Sequence, residues 1–209
     1  MEEFSNWHPE ALSPAAQNLL LALGTTSLSS RFYLAGGTGL ALRFGHRRSV
    51  DFDFFSQETF NEETLLASLR EHSPSVLSRA PSTLHLLLLE IKVSFIGYPY
   101  PLLFSTERFS TVEVADARDI ACMKLSAVAS RGTRRDFVDL YLAAKAYSLG
   151  EVLSLFVRKY AGIEYNRLHL LKSLTYFEDA EADPPLEMLT EISWADVKDF
   201  FTRESAALL

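Results

Sequence analysis

The stretch from Phe32 to Phe55 constrains the fold of this chain more than any other. Phe32-Tyr33-Leu34-Ala35 reads as a short strand that runs straight into Gly36-Gly37-Thr38. Leu40, Ala41 and Phe44 then suit a brief helix closed by Gly45. From Val50 to Phe55 the residues alternate, with Asp51 and Asp53 on one face and Phe52 and Phe54 on the other, which predicts a strand with an acidic face. Thirteen residues, Thr38 to Val50, separate the glycine pair from the first acid. Strand, tight turn, helix and acidic strand in that order leave few folds open.

Those parts share a chemical theme. Two glycines at a strand-to-helix turn let a ligand approach the backbone, because neither presents a Cβ. The helix that begins there offers unpaired N–H groups and the positive end of its dipole, which suits a phosphate. Thr38 adds a hydroxyl at the same place. Asp51 and Asp53, two apart on one strand face, can share Mg²⁺, an ion that favours carboxylates together with substrate phosphates. The combination describes phosphoryl or nucleotidyl transfer, although a plain turn and a solvated sheet face would each account for one half of it.

The rest of the chain supplies the frame. Residues 9–23 read as a helix opened by Pro9 and stopped by Gly24, and Asn61 caps another through about His72. Ser73–Ser82 reads as irregular, Leu84–Leu89 and Ile91–Ile96 as two strands turning near Leu89-Glu90. Asp116 caps a helix through Ser130, and a second runs from Thr133 to Ser148. Beyond residue 150 only helices suggest themselves, at 151–160, 164–178 and 194–205, the last with Ser193 and Asp196 spaced as a capping box. Asp179–Pro185 reads as a flexible connection. The expected class is α+β: a small mixed sheet with flanking helices in residues 1–115, then a helical region, 116–209, that packs on it and completes the site.

Composition excludes several alternatives. A net charge of −7 argues against a general nucleic-acid coat, though not against a local basic patch. Cys122 is the only cysteine, so no internal disulfide and no multi-cysteine zinc site can form. His8, His46, His72, His85 and His169 lack metal-ligand spacing, and His46 reads as a loop residue. With no apolar run of ~18 residues and an acidic N-terminus, the expected setting is cytoplasmic, without a membrane.

The Gly-Gly, gap and Asp-x-Asp pattern resembles the nucleotidyltransferase fold superfamily. Arg47-Arg48-Ser49-Val50-Asp51-Phe52-Asp53 narrows the likeness to the AbiEii/AbiGii toxin branch, with its MenT-type members, where an Arg-x-Ser-x-Asp-x-Asp motif recurs. A second block, Met123-Lys124-Leu125-Ser126-Ala127 followed by Arg135-Asp136-Phe137-Val138-Asp139-Leu140-Tyr141, resembles the same branch. The resemblance implies a Mg²⁺-dependent (or Mn²⁺-dependent) enzyme that transfers a nucleoside monophosphate from an NTP to an acceptor hydroxyl on RNA, a tRNA 3′ end or a protein. It implies the toxin of a toxin–antitoxin or phage-defence pair, with a cognate antitoxin as partner. Asp51 and Asp53 would carry the metal, and Gly36, Gly37, Thr38, Arg47 and Ser49 the nucleotide. Lys124 and Asp136 take functional roles by the same likeness, and Asp139 a structural one.

One departure stands out. Many members of the wider fold place a third carboxylate on a later strand, and Ser94 occupies that position here. Glu90, of the same parity, or Asp136 would have to supply the charge. If neither does, the alternative is a catalytically silent nucleotide-binding module that acts through a protein partner. Lys124 also admits a plain account, a lysine snorkelling from the edge of an apolar helix face. Arg43, Arg47, Arg48, Arg131, Arg134 and Arg135 could form a basic lip for an RNA end.

Overall fold

The computed structural model describes residues 7–25 and 31–209. Its first long element starts later than periodicity suggests. A short 3-10 turn covers Pro9–Ala11, and α1 (Pro14–Gly24) restarts after Ser13, whose hydroxyl accepts from the Ala16 amide. Ser-Pro is a strong helix start, with the hydroxyl capping and proline preset for the first turn. It divides what reads as one helix.

Seven strands form one mixed sheet in the order β3-β4-β5-β2-β1-β7-β6. They are β1 (Tyr33–Leu34), β2 (Phe52–Ser56), β3 (Ser75–Ala80), β4 (Thr83–Leu88), β5 (Ile91–Gly97), β6 (Glu107–Phe109) and β7 (Val112–Val114). The centre carries the constraint read from the sequence: β1 pairs antiparallel with β2, and β2 lies parallel to β5 with Asp53 opposite Ser94. β4 and β5 form the expected hairpin, and Leu89 and Glu90 both take positive φ at its tip.

Two strand regions depart from expectation. Ser73–Ser82, read as irregular, contains β3, an edge strand paired with β4 and exposed at all six positions. Exposure on both faces removes the alternation by which a strand shows itself. The β6–β7 hairpin has only three residues per strand, yet β7 joins the sheet parallel to β1.

Burial explains the layering. Phe52, Phe54, Leu84, Leu86, Val93 and Phe95 line one sheet face and pack with Leu19, Leu20 and Leu23 of α1 and with Leu65 of α3 (Glu62–Ser68). The opposite face presents Tyr33 and Phe55 to Leu40 of α2 (Gly36–Phe44) and Ile120 of α4 (Ala117–Ser130). Asp116 caps α4 by accepting from the Arg118 amide, and Thr133 caps α5 (Arg134–Tyr147).

A second core unites α4, α5, α6 (Leu149–Lys159) and α9 (Trp194–Ala207) around Leu125, Phe137, Leu140, Phe156 and Phe201. Between α6 and α9 lie the shorter α7 (Arg167–Ser173) and α8 (Glu178–Glu181), and the capping box of Ser193 and Asp196 opens α9. No single helix among the described residues is long and apolar enough to cross a membrane.

Asp179–Pro185 is more ordered than its composition suggests. Asp183 accepts from the Arg134 amide at 2.7 Å. The chain beyond it returns to the segment that leads into β2, through Arg48 N to Glu187 O and Leu189 N to His46 O, each 2.9 Å.

Candidate active site

The glycine turn and the acidic strand meet at one end of the sheet. Gly36 takes φ +62°, and a Cβ there would lie 2.7 Å from Asp53 Oδ2. Both its conformation and its neighbour require glycine at that point. At Gly37 the space a Cβ would fill is occupied by the Arg47 guanidinium. The N-terminus of α2 has no side-chain cap, so its first amides are not satisfied in that way.

Gly37, Thr38, Arg47, Ser49, Asp51, Asp53, Lys124 and Asp136 all line one cleft of about 250 Å³, together with Lys92, Ser94, Arg131, Thr133 and Arg135. Of the residues to which the resemblance gave a nucleotide, metal or catalytic role, Gly36 is not part of the lining; it packs beneath Asp53 instead. Glu90 sits in the hairpin turn, away from the cleft. Asp51 precedes β2 and Asp53 lies within it. Val50, counted among the apolar residues of that strand, is 64% exposed.

Several side chains are already committed within the protein. The Thr38 hydroxyl donates to the Asp51 carbonyl and lies 2.7 Å from Ser49 Oγ, so this pair pins the approach to the acidic strand. Arg47 is buried. Its Nε and Nη2 donate to the two oxygens of Asp139 at 2.7 and 2.8 Å, and Nη1 donates to the Arg48 carbonyl. Lys124 is buried too, and does not snorkel. Its ammonium bridges Asp136 Oδ1 at 2.9 Å and Asp139 Oδ2 at 2.8 Å.

Asp139 is the residue that sequence reasoning undervalued. It is fully buried and accepts from His46, Arg47 and Lys124 together. The available signal was an acid on an otherwise apolar stripe of α5, since a buried carboxylate needs partners. His46 is likewise fully buried, not a loop residue in solvent, with Nε2 2.8 Å from Asp139 Oδ1.

Electrostatics separates the acids. Burial pushes the Asp53 carboxyl up, with Asp51 adding to the shift, while a hydrogen bond from Ser94 and the charge of Lys124 only partly offset it. A partly buried carboxylate in that state gains from a cation. Burial would raise Asp136 and Asp139 as well, but Lys124 dominates the opposing effects and both end below the ordinary carboxylate range, Asp139 well below. Lys124 is held above its usual value by Asp139 and Asp136, against desolvation, and stays charged.

The arginines divide. Arg131 and Arg135 flank the cleft, Arg135 with Nη1 3.6 Å from Asp51 Oδ2. Arg43 instead pairs with Glu107, Arg48 with Glu187, and Arg134 with Glu181. Cys122 is buried in the helical core with its thiol pushed up to about 12 by desolvation, which makes it a packed apolar group.

No group of three or more His, Cys, Asp or Glu side chains able to hold a metal exists among the described residues. Two acids and a neutral Ser94 form the floor of the cleft. That set fits Mg²⁺, which is commonly bound by one or two carboxylates plus substrate phosphates.

Comparison with known proteins bears on the family and the fold. The model of a family described as "Nucleotidyl transferase AbiEii toxin, Type IV TA system" matches residues 18–89 and 88–207. An uncharacterized protein of Aquifex aeolicus (strain VF5) is 40% identical over 183 residues, spanning 83% of this chain and 85% of that protein. The nucleotidyltransferase toxin MenT4 of Mycobacterium tuberculosis H37Rv shares the fold at TM-score 0.61 and 19% identity, over 93% of this chain and 82% of that one. JHP933 from Helicobacter pylori does so at TM-score 0.55 and 18% identity, over 94% and 93%.

Proposed function

The chain belongs to the AbiEii family of nucleotidyltransferase toxins, and on that premise we propose that it transfers a nucleoside monophosphate from an NTP to an acceptor hydroxyl, with release of pyrophosphate. The observation that carries the reading is the meeting of Asp51, Asp53, Lys124 and Asp136 with the start of α2 in one cleft. The uncapped amides of Gly37 and Thr38 bind phosphate oxygens, with the helix dipole behind them. Gly36 lets the turn close against Asp53, and Arg47 and Ser49 support the nucleotide side of the cleft from below.

Asp51 and Asp53 would hold Mg²⁺ or Mn²⁺, which supplies stabilisation of the charge that develops on the phosphoryl and pyrophosphate oxygens. Lys124, fixed in its charged form, adds a cation to that charge at the cleft wall. Asp136 is a weak base because its carboxyl is held low, so it orients the acceptor hydroxyl and Lys124. Arg131 and Arg135, exposed on the rim, receive a polyanionic acceptor. The rim arginines favour RNA over a protein acceptor, and the family resemblance puts tRNA 3′ ends foremost. In the cell the chain acts as the toxin of a toxin–antitoxin or phage-defence pair, restrained by a cognate antitoxin.

The test is incubation of the protein with each of four labelled NTPs, Mg²⁺ or Mn²⁺, total RNA and total protein. Label transferred to RNA, and lost with Asp53→Ala, is the expected result. Transfer to neither RNA nor protein, with Mg²⁺-dependent NTP binding intact, would instead support the silent binding module that acts through a partner. The neutral Ser94 is the observation in favour of that second reading.

A further inference from the structure

Register places four polar residues side by side across the cleft face of the sheet. Asp53 on β2 is paired with Ser94 on β5, Ser94 with His85 on β4, and His85 with Ser78 on the edge strand β3. His85 Nδ1 lies 3.0 Å from Ser94 Oγ, and Ser94 stands directly opposite Asp53 in the sheet, where its hydroxyl favours the ionised Asp53 carboxyl. Ser94 lines the cleft whereas His85 stands behind it.

The proton order in this chain follows from chemistry. An ionised carboxylate only accepts, so the single hydroxyl proton of Ser94 goes to Asp53. Ser94 Oγ is then left as an acceptor, and His85 must carry its proton on Nδ1 to donate to it.

We propose that His85, acting through Ser94, is a positioning residue for the Asp53 carboxylate and completes the Asp51–Asp53 cation site with a Ser–His pair in place of a third acid. The inference rests on the cation reading given under Proposed function, and assigns the row behind it. The pair gives Asp53 a fixed orientation without adding a negative charge to the floor. Outer partners of this kind commonly change metal affinity by about 10–100-fold when removed. Lys124, on α4, also favours the ionised Asp53 carboxylate, so orientation by the Ser–His pair and compensation by Lys124 come from separate elements.

The experiment is a titration of the full chain with Mn²⁺, followed by electron paramagnetic resonance, in the presence of inorganic tripolyphosphate. That probe carries no base and requires no knowledge of the preferred nucleotide. His85→Ala and Ser94→Ala are expected to weaken Mn²⁺ binding about tenfold. His85→Asn, which restores an N–H donor near the position of Nδ1, and Ser94→Thr, which keeps the hydroxyl, are expected to bind as the wild type does. Urea midpoints measured on the same samples separate this from general loosening, which would not be reversed by His85→Asn alone. Wild-type Mn²⁺ binding by both alanine variants, while Asp53→Ala abolishes it, would overturn the positioning role and leave the proposed function standing. Wild-type binding by Asp51→Ala and Asp53→Ala would remove the cation site itself.

Discussion

Asp139→Asn isolates the ionic knot beneath the cleft, because it preserves shape and removes one charge. Asp139 Oδ1 accepts from His46 Nε2 at 2.8 Å and Arg47 Nε at 2.7 Å, and Oδ2 accepts from Arg47 Nη2 and Lys124 Nζ, both at 2.8 Å. An asparagine keeps one acceptor oxygen and turns an NH₂ toward the other pair of donors. Lys124 retains Asp136, but Arg47 loses its carboxylate while it remains buried. Removing one member of a buried pair costs roughly 3–5 kcal/mol, most of it for the stranded charge. That is about a fifth or more of a stability of about 5–15 kcal/mol. With a denaturant slope of roughly 3 kcal/mol per molar urea, the midpoint should fall by about 1–1.7 M. Urea unfolding followed by far-ultraviolet circular dichroism reads this directly. The same reasoning predicts that Arg47→Met added to Asp139→Asn recovers part of the loss, since it removes the uncompensated cation. A single variant within about 1 kcal/mol of wild type, or a double variant no better than the single, would refute the argument.

Three further outcomes follow from the cleft. Gly36→Ala places a Cβ 2.7 Å from Asp53 Oδ2 at a left-handed position; a loss of about 1–2 kcal/mol from backbone strain alone is expected, with weakened Mn²⁺ binding, measured by urea unfolding and by metal titration. Asp53 has a raised carboxyl, so its contribution to stability is present below its unfolded value and lost as pH rises through the folded one; Asp53→Asn should therefore raise the melting temperature at neutral pH while it weakens Mn²⁺ binding tenfold or more. Asp136 and Asp139 are lowered, so the stability they contribute is present above their unfolded values near 3.9 and is lost as pH falls through the folded ones; denaturant midpoints measured between about pH 5 and 2 should fall steeply for the wild type and less so for Asp139→Asn.

The parts of the fold that showed in the sequence are those whose side chains must do something local. Asn61, Asp116, Thr133 and Ser193 each cap a helix because a short oxygen has to meet an orphan amide. Asp51 and Asp53 stood out because charge on a strand otherwise filled by phenylalanine is costly without a purpose. The parts that stayed hidden are held by backbone or by distant partners. β3 is a strand through its pairing with β4 alone, and its six exposed residues follow no pattern. His46 is buried by a carboxylate 93 positions away. Asp139 sits in a helix-start motif where dipole stabilisation is a sufficient local account, so only the tertiary meeting with Arg47 and His46 reveals its weight. The order of residues 183–189 likewise comes from distant bonds, Asp183 with the Arg134 amide and Glu187 and Leu189 with residues 46–48, which composition does not register.

That last contact bears on how the protein can be cut. Every side chain assigned a chemical role here precedes Leu140, which invites the design of a minimal fragment. Yet the Arg48–Glu187 and His46–Leu189 stitches mean that the late chain acts as a splint for the loop in front of Asp51. A truncated version would keep the reagents and lose the vice that holds them. Grafts, fusions and split-protein reporters built on this scaffold should accordingly leave the 183–189 segment joined to its loop, and place any seam elsewhere.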